Sequence, residues 1–330
     1  MTRSLLALVP CLLSVAIGLR FLEWMSASGG AIQPFSDAVT YLAAGERLAA
    51  GHQLYELSPG DRQVLRVVGT SDAPLLSPPP IAVIWRALVA IPFGLQAWIV
   101  ACWIALLGAT FILTRRAGVT GAILATALSP GIGEQLSACN MAAFFPGILA
   151  IAWVSQSGRT SGAVVGLLAA LKLSPGSMAG WILASRPRGF PALLLAVVAC
   201  VVACVVAASP GAIPQYLGVV ARGVGPSWLS LSGLTGIGWL SFGVLVVGTL
   251  LAFTLGRWPA ASFSVGVLAA VLGTPALYLS GLVTLLALLA PMAWPHPTRR
   301  KMVNSPVARI GAIGIPAHFA FAKVLDVRRR

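Results

Sequence analysis

Apolar runs recur along this chain, and short stretches rich in Pro, Gly and basic residues separate them. The runs cover residues 4–22, 81–91, 95–114, 119–128, 141–154, 163–183, 190–208, 228–255, 260–273 and 276–294. An apolar run long enough to cross about 30 Å of hydrocarbon reads as a membrane span. Residues 81–114 are too many for one crossing at about 1.5 Å per residue. Two spans joined by a tight turn at Pro92-Phe93-Gly94 fit that stretch better than one kinked helix. The pattern predicts an all-α, polytopic transmembrane helix bundle of about nine to ten spans, some of them short. Residues 5–19 behind Arg3 also resemble a signal peptide, with Ala27-Ser28-Gly29 as a weak cleavage-like site. The many spans that follow favour an uncleaved first span.

One segment departs from the pattern. Residues 23–80 hold six of the eight acids (Glu23, Asp37, Glu46, Glu56, Asp61 and Asp72) against Arg47, Arg62 and Arg66, for a net charge of −3 in a chain that is otherwise +17. Ser36 and Asp37 can cap a helix running to about Ala50, which Gly51 ends. Asp37, Tyr41, Gly45 and Leu48 would share one face of it, and such a helix can lie at a membrane surface. Arg3 before the first span weakly places this loop on the non-cytoplasmic side, while Arg20 argues the other way.

Composition agrees with a membrane location. The chain of 330 residues is 58% hydrophobic and 9% charged, where a soluble domain carries about 25% charged residues. A net charge of +14 would suggest nucleic acid in a soluble protein. Here the basic residues stand mostly between apolar runs, as topology and anionic membrane lipids favour. No basic stretch is interleaved with aromatics, so a nucleic-acid partner is not expected. The five cysteines form no CxxC pair, and neither a metal site nor a disulfide is expected. Two units are expected: residues 1–294 as the transmembrane domain, and residues 295–330 as a basic, disordered tail. No internal repeat is visible, which weakens an inverted-repeat transporter.

Polar groups within apolar runs are costly and point to function. Lys172, flanked by mostly apolar residues, wants an anion such as a lipid phosphate. The plainer reading is a lysine bonded to carbonyls freed at the Ser174-Pro175 break. Asp37 is either a general base or a carboxylate favoured by a helix N-terminus. Glu134, Gln135 and Asn140 follow the break Ser129-Pro130-Gly131-Ile132-Gly133 and either line a polar pocket or sit solvated in a loop. Arg86 is a candidate ligand contact that could instead snorkel. His52, His296 and His318 show no metal-binding spacing.

Four stretches together resemble glycosyltransferase family 87, polytopic GT-C-type enzymes that use polyprenyl-phosphate sugars. The first is Phe35-Ser36-Asp37-Ala38-Val39-Thr40-Tyr41, continuing through Gly51 to Leu54-Tyr55. The second is Ser77-Pro78-Pro79-Pro80 with Ala90-Ile91-Pro92-Phe93-Gly94. The third is Ala170-Leu171-Lys172-Leu173-Ser174-Pro175. The fourth is Gly273-Thr274-Pro275-Ala276-Leu277-Tyr278, after which Leu279, Ser280 and Gly281 stand where the family carries His or Asp. The resemblance implies a GT-C-type fold, with residues 23–80 as the first non-cytoplasmic loop. It implies metal-independent, inverting transfer of a mannose-like hexose or a pentose to a lipid or glycan acceptor. Asp37 would be the catalytic base, and Lys172 would lie near the donor phosphate. Tyr41, Tyr55 and Tyr278, which lie in the matching stretches, join Arg86, Gln135 and Asn140 as candidates for substrate binding. No cofactor is implied beyond the lipid-linked donor, and the expected location is a bacterial plasma membrane. Two other readings stay open: a transporter or lipid-carrier flippase, and an inactive family member acting as partner in envelope glycan assembly.

Overall fold

The computed structural model describes residues 2–28, 33–64, 74–221, 227 and 229–295. The chain divides into Met1–Trp294 and Pro295–Arg330; the expected tail beyond residue 295 lies outside the described residues. Every regular element among the described residues is helical. In order they are α1 (Thr2–Ala27), α2 (Ser36–Ala49), α3 (Pro80–Val89), α4 (Gly94–Ala117), α5 (Val119–Ala127), α6 (Ser129–Ala138), α7 (Phe145–Val154), α8 (Gly158–Leu171), α9 (Met178–Ser185), α10 (Phe190–Ala207), α11 (Ala212–Ala221), α12 (Leu231–Thr235), α13 (Leu240–Thr254), α14 (Pro259–Leu272) and α15 (Ala290–Ala293). Stretches of 3-10 helix at Met141–Phe144, Ser174–Ser177, Pro187–Gly189 and Leu279–Leu289 complete the set.

Three helices among the described residues are long and apolar enough to cross a membrane: Thr2–Ala27, Gly94–Ala117 and Pro187–Ala207. They make the chain a helical membrane protein. The other apolar runs fold as shorter helices or broken pairs, such as Gly158–Leu171, Leu240–Thr254 and Pro259–Leu272. At about 1.5 Å per residue these fall short of about 30 Å. The run at 163–183 was expected as one span, yet it breaks where Lys172 turns to extended backbone (φ −152, ψ 125). Pro175 has no N–H to continue a helical ladder, and α9 restarts three residues later. The expected break after α3 occurs, with Phe93 left-handed at φ 62 before α4.

The described residues of the polar loop are held by helix packing and side-chain bonds. Helix α2 spans Ser36–Ala49 and stops before Gly51, which takes φ +77. Its start differs from the capping expected. Phe35 is the N-cap residue, left-handed at φ 58, and no side chain caps the helix. The Phe35 N–H donates to the Ser137 carbonyl instead (2.8 Å), tying the loop to the end of α6. The apolar face of α2 presses on α3. A Cβ on Gly45 would stand 2.7 Å from the Trp85 carbonyl carbon, so a residue without one is needed for this approach. Three loop acids are engaged nearby. Glu46 takes a forked bond from Arg62 (2.8 and 2.9 Å), Asp61 pairs with His52 (2.7 Å) and accepts from the Ser58 N–H, and Glu23 pairs with Arg20. Asp37 instead reaches across to a distant element, the turn at Asn140.

Candidate functional site

Asp37 sits in the first turn of α2, and its Oδ2 accepts from the Asn140 amide Nδ2 at 2.9 Å. The orientation of that amide is fixed by its other end. Asn140 Oδ1 accepts from the Ala142 N–H at 2.9 Å and so caps the 3-10 turn Met141–Phe144. An amide whose oxygen is committed to a backbone donor presents its NH2 outward. Gln135 Nε2 holds the Asn140 carbonyl (2.5 Å), and Trp98 Nε1 holds the Cys139 carbonyl (2.9 Å). Asn140 is thereby fixed from both sides.

Backbone strain collects at this contact. Three non-glycine residues among those described take positive φ: Phe35, Phe93 and Cys139. Phe35 stands two residues before Asp37, and Cys139 directly precedes Asn140. Each such residue costs about 1–3 kcal/mol and persists only where its surroundings hold it. Both ends of one hydrogen bond are thus set by strained positions, as functional sites tend to be.

Lys172 joins from the break after α8. Its ammonium interacts electrostatically with the Asp37 carboxylate and donates no hydrogen bond among the described residues. It lies beside a narrow cleft lined by Phe145, Ser174, Pro175, Thr274, Gly281 and Thr284. The space holds about one water molecule. Of the two sequence readings for Lys172, bonding to freed carbonyls is therefore not realised among the described residues, and Lys172 takes part in lining the cleft.

A second acid completes the group. Glu134, on α6, accepts from the Ser280 N–H at 2.5 Å, at the start of the 3-10 helix Leu279–Leu289, and its charge reaches Asp37. Gly131 permits the approach of these elements, since a Cβ there would stand 2.4 Å from the Leu279 carbonyl oxygen. Asp37, Glu134, Asn140 and Lys172 are all half-buried. Asp37 is the common member. A carboxylate fixed by an amide and within electrostatic reach of a cation can accept a proton while the cation holds an anion.

The remaining candidates divide. Tyr41 is 2% exposed, one turn after Asp37, and meets the Ser77 hydroxyl and the Met141 backbone. Burial first, and the Asp37 charge second, push its phenol well above the usual range. Its ring packs edge-on to Trp98 and beside Trp85, so it forms the floor under Asp37. Gln135 is fully buried and acts on Asn140 rather than facing the cleft; its Oε1 has no partner among the described residues. Tyr278 is half-buried and leads directly into the Ser280 turn. Two candidates lie elsewhere. Tyr55 is buried, donates to the Ser77 carbonyl (2.8 Å) and packs on Tyr216. Arg86 donates to the Ala207 carbonyl (2.6 Å) at the C-terminus of α10, where a cation complements the helix dipole. Sequence reasoning noted Ser280 only as one of the residues standing where the resembled family carries His or Asp, and it passed over Thr284, a small polar residue with no local signal. Among the described residues, no three His, Cys, Asp or Glu side chains gather as metal ligands.

No protein-family model matches the chain, and no curated protein or solved structure is significantly similar to it.

Proposed function

We propose that the protein is an integral-membrane glycosyltransferase that moves a sugar from a polyprenyl phosphate to a lipid or glycan acceptor. In this reading the shorter apolar helices complete a GT-C-type bundle of nine or ten spans in a bacterial plasma membrane. The single observation that carries it is the Asp37 carboxylate, fixed at the start of α2 by the Asn140 amide and within electrostatic reach of Lys172 at a helix break. The four ordered sequence stretches add to it.

The chemistry balances on these groups. Asp37 takes the proton of an acceptor hydroxyl, whose oxygen attacks the anomeric carbon from the face opposite the lipid phosphate. The bond from that carbon to the phosphate oxygen breaks, and the configuration inverts. The bonding electron pair leaves with the phosphate oxygen and turns the phosphodiester monoanion into a phosphomonoester dianion, which is stable near neutral pH; it therefore needs a cation more than an acid, and Lys172 supplies one. Asn140 fixes the carboxylate that accepts the proton.

The test uses proteoliposomes holding the protein, labelled polyprenyl-phosphate mannose, arabinose or glucose, and extracted acceptor lipids. Wild type is expected to yield a labelled product of inverted configuration. Asp37→Asn is expected to lose about 10²–10⁴-fold in rate. Transfer by Asp37→Asn at the wild-type rate removes Asp37 as the base. A flippase is the second reading, because half-helices meeting at a polar site also serve transporters, as α8 and α9 meet beside Lys172. Movement of the lipid-linked sugar across the bilayer with no covalent product would select it.

A further inference from the structure

Helix α7 leads away from the Asn140 turn, and several segments meet at its far end. Arg186 ties them together. Its guanidinium donates to the Trp153 carbonyl (2.7 Å), the Ser155 carbonyl (2.5 Å) and the Ser161 hydroxyl (2.5 Å), and lies over the Trp181 ring. Trp153 Nε1 donates to the Trp294 carbonyl (2.8 Å), and Arg116 lies over the Trp294 ring. Ser185 Oγ donates to the Gly256 carbonyl (3.2 Å), next to Arg257. Arg115, Arg116, Arg159, Arg186, Arg188 and Arg257 thus gather at one end of the bundle, in segments that hold no Asp or Glu.

Two of these arginines are set side by side. Gly158, Gly162 and Gly166 recur at every fourth position of α8, and α10 with the turn before it presses on that face. A Cβ on Gly158 would stand 3.5 Å from the Gly189 nitrogen, and one on Gly189 would strike the Gly158 carbonyl oxygen. Small residues permit such an approach. Arg159 follows Gly158 and Arg188 precedes Gly189, so both leave the backbone where the two segments touch. Both are exposed, and neither has an ion pair or a side-chain hydrogen bond among the described residues. The Arg186 Cβ is 3.8 Å from the same Gly158 position, so a third guanidinium stems from this spot. Helices α8 and α10 also both begin here, and their positive ends add to the field.

The neighbouring surface says what the patch binds. About two turns beyond Arg188, Leu195, Val198, Val202 and Val206 are exposed along α10, a helix apolar enough to cross a membrane. A ligand with an anionic head and long apolar tails meets both features, whereas a free anion meets only the first. Lys and Arg collect at the cytoplasmic surface, where the leaflet is anionic, and basic pockets between transmembrane helices there hold phosphate headgroups.

We propose that the paired starts of α8 and α10 form a binding site for an anionic phospholipid. Arg159 and Arg188 hold the headgroup phosphate, and the acyl chains run along α10. The site is remote from Asp37 and does not depend on the transferase reading.

The experiment is a titration of the full-length protein in neutral detergent with phosphatidylglycerol, read by native mass spectrometry, with phosphatidylcholine for comparison. The double variant Arg159→Gln/Arg188→Gln is expected to bind phosphatidylglycerol about tenfold to a hundredfold more weakly, as for lost charge-assisted bonds, and phosphatidylcholine as wild type does. Unchanged phosphatidylglycerol binding overturns the proposal. Arg115→Gln/Arg257→Gln removes two charges from the same end and is expected to keep the lipid; an equal loss there overturns the site in favour of a diffuse basic surface. Excess inorganic phosphate is expected to leave the lipid in place, and displacement by it overturns the lipid assignment. Should the first double variant not fold, wild type decides. A phosphatidylglycerol with a photoreactive headgroup is expected to label residues 157–190, and labelling confined to other segments overturns the proposal.

Discussion

Asn140 Nδ2 donates to Asp37 Oδ2 across 103 positions of sequence, while its own Oδ1 caps the turn that begins at Met141. One side chain therefore serves a local helix end and a distant carboxylate at once. The two roles separate by substitution.

Asn140→Ser keeps an oxygen to cap Met141–Phe144 and gives up the amide donor, whereas Asn140→Ala loses both. Serine is expected to leave thermal stability close to wild type, and alanine to lower it by about 1 kcal/mol, the usual worth of a cap. If the protein is the proposed transferase, both variants should slow sugar transfer, by about tenfold for one hydrogen bond to a charged group. Thermal unfolding in micelles and transfer rates read the two effects apart. Wild-type transfer by both variants would show that Asp37 does not depend on Asn140.

Lys172→Gln removes the cation and keeps a polar side chain of similar reach. On the proposed transferase reading, affinity for the lipid-phosphate donor is expected to fall about tenfold to a hundredfold, the equivalent of one charge-assisted bond. Acceptor KM should hold. The check is donor and acceptor titration of the same proteoliposomes. A loss confined to the acceptor would place Lys172 on the wrong side of the reaction.

Gly131→Ala forces a Cβ against the Leu279 carbonyl oxygen, where only 2.4 Å is available. Backbone on both sides must give way, at a cost of about 1–3 kcal/mol. The expected readout is a lower melting temperature together with loss of protection at the Ser280 amide in hydrogen exchange. A Gly131→Ala protein with unchanged Ser280 protection would mean the two elements move together without cost.

Part of the fold could be read from the sequence. The extent of α2 was, because its polar face, its small residues and Gly51 are all local signals. The break before α4 was, because Pro92 and Gly94 mark it. Lys172 and Asp37 stood out because each is a charge whose surroundings do not explain it. The continuous helix expected over 163–183 was not interrupted in the sequence pattern. Residues on both sides of Lys172 are apolar, so neither period nor polarity separates one long helix from two short ones. The partners of Asp37, Glu134 and Arg86 lie 103, 146 and 121 positions away. Such pairings depend on how helices cross, which no local pattern contains. Asn140 and Arg86 illustrate the difference: both were candidates, and tertiary packing gave one to Asp37 and the other to the end of α10.

Acidity should loosen the polar loop. Burial pushes the Asp61 carboxyl up, but the Ser58 N–H and then the His52 hydrogen bond and charge outweigh it and hold it below the usual carboxylate range. A depressed acid contributes stability above its unfolded value of about 3.9, and that contribution is lost as pH falls through the folded value. Proteolysis of the 52–61 turn is expected to accelerate below about pH 4, and Asp61→Asn should be cleaved readily at pH 7. Equal cleavage of the two proteins at pH 7 would show that Asp61 does not hold the turn.

The interruption at Lys172 also bears on how the chain is made. During insertion, the stretch around Lys172 leaves the ribosome without the groups that later surround it. Ser177 bonds the Gly266 carbonyl (2.7 Å), Gly180 abuts Thr249, and the cleft wall comes from Ala270 to Thr284. All are synthesised after the break. A nascent chain ending before α13 therefore carries an uncovered lysine within an apolar stretch. On these contacts the last third of the polypeptide is expected to complete the fold of the middle, and C-terminal truncations should be degraded before they reach a mature fold.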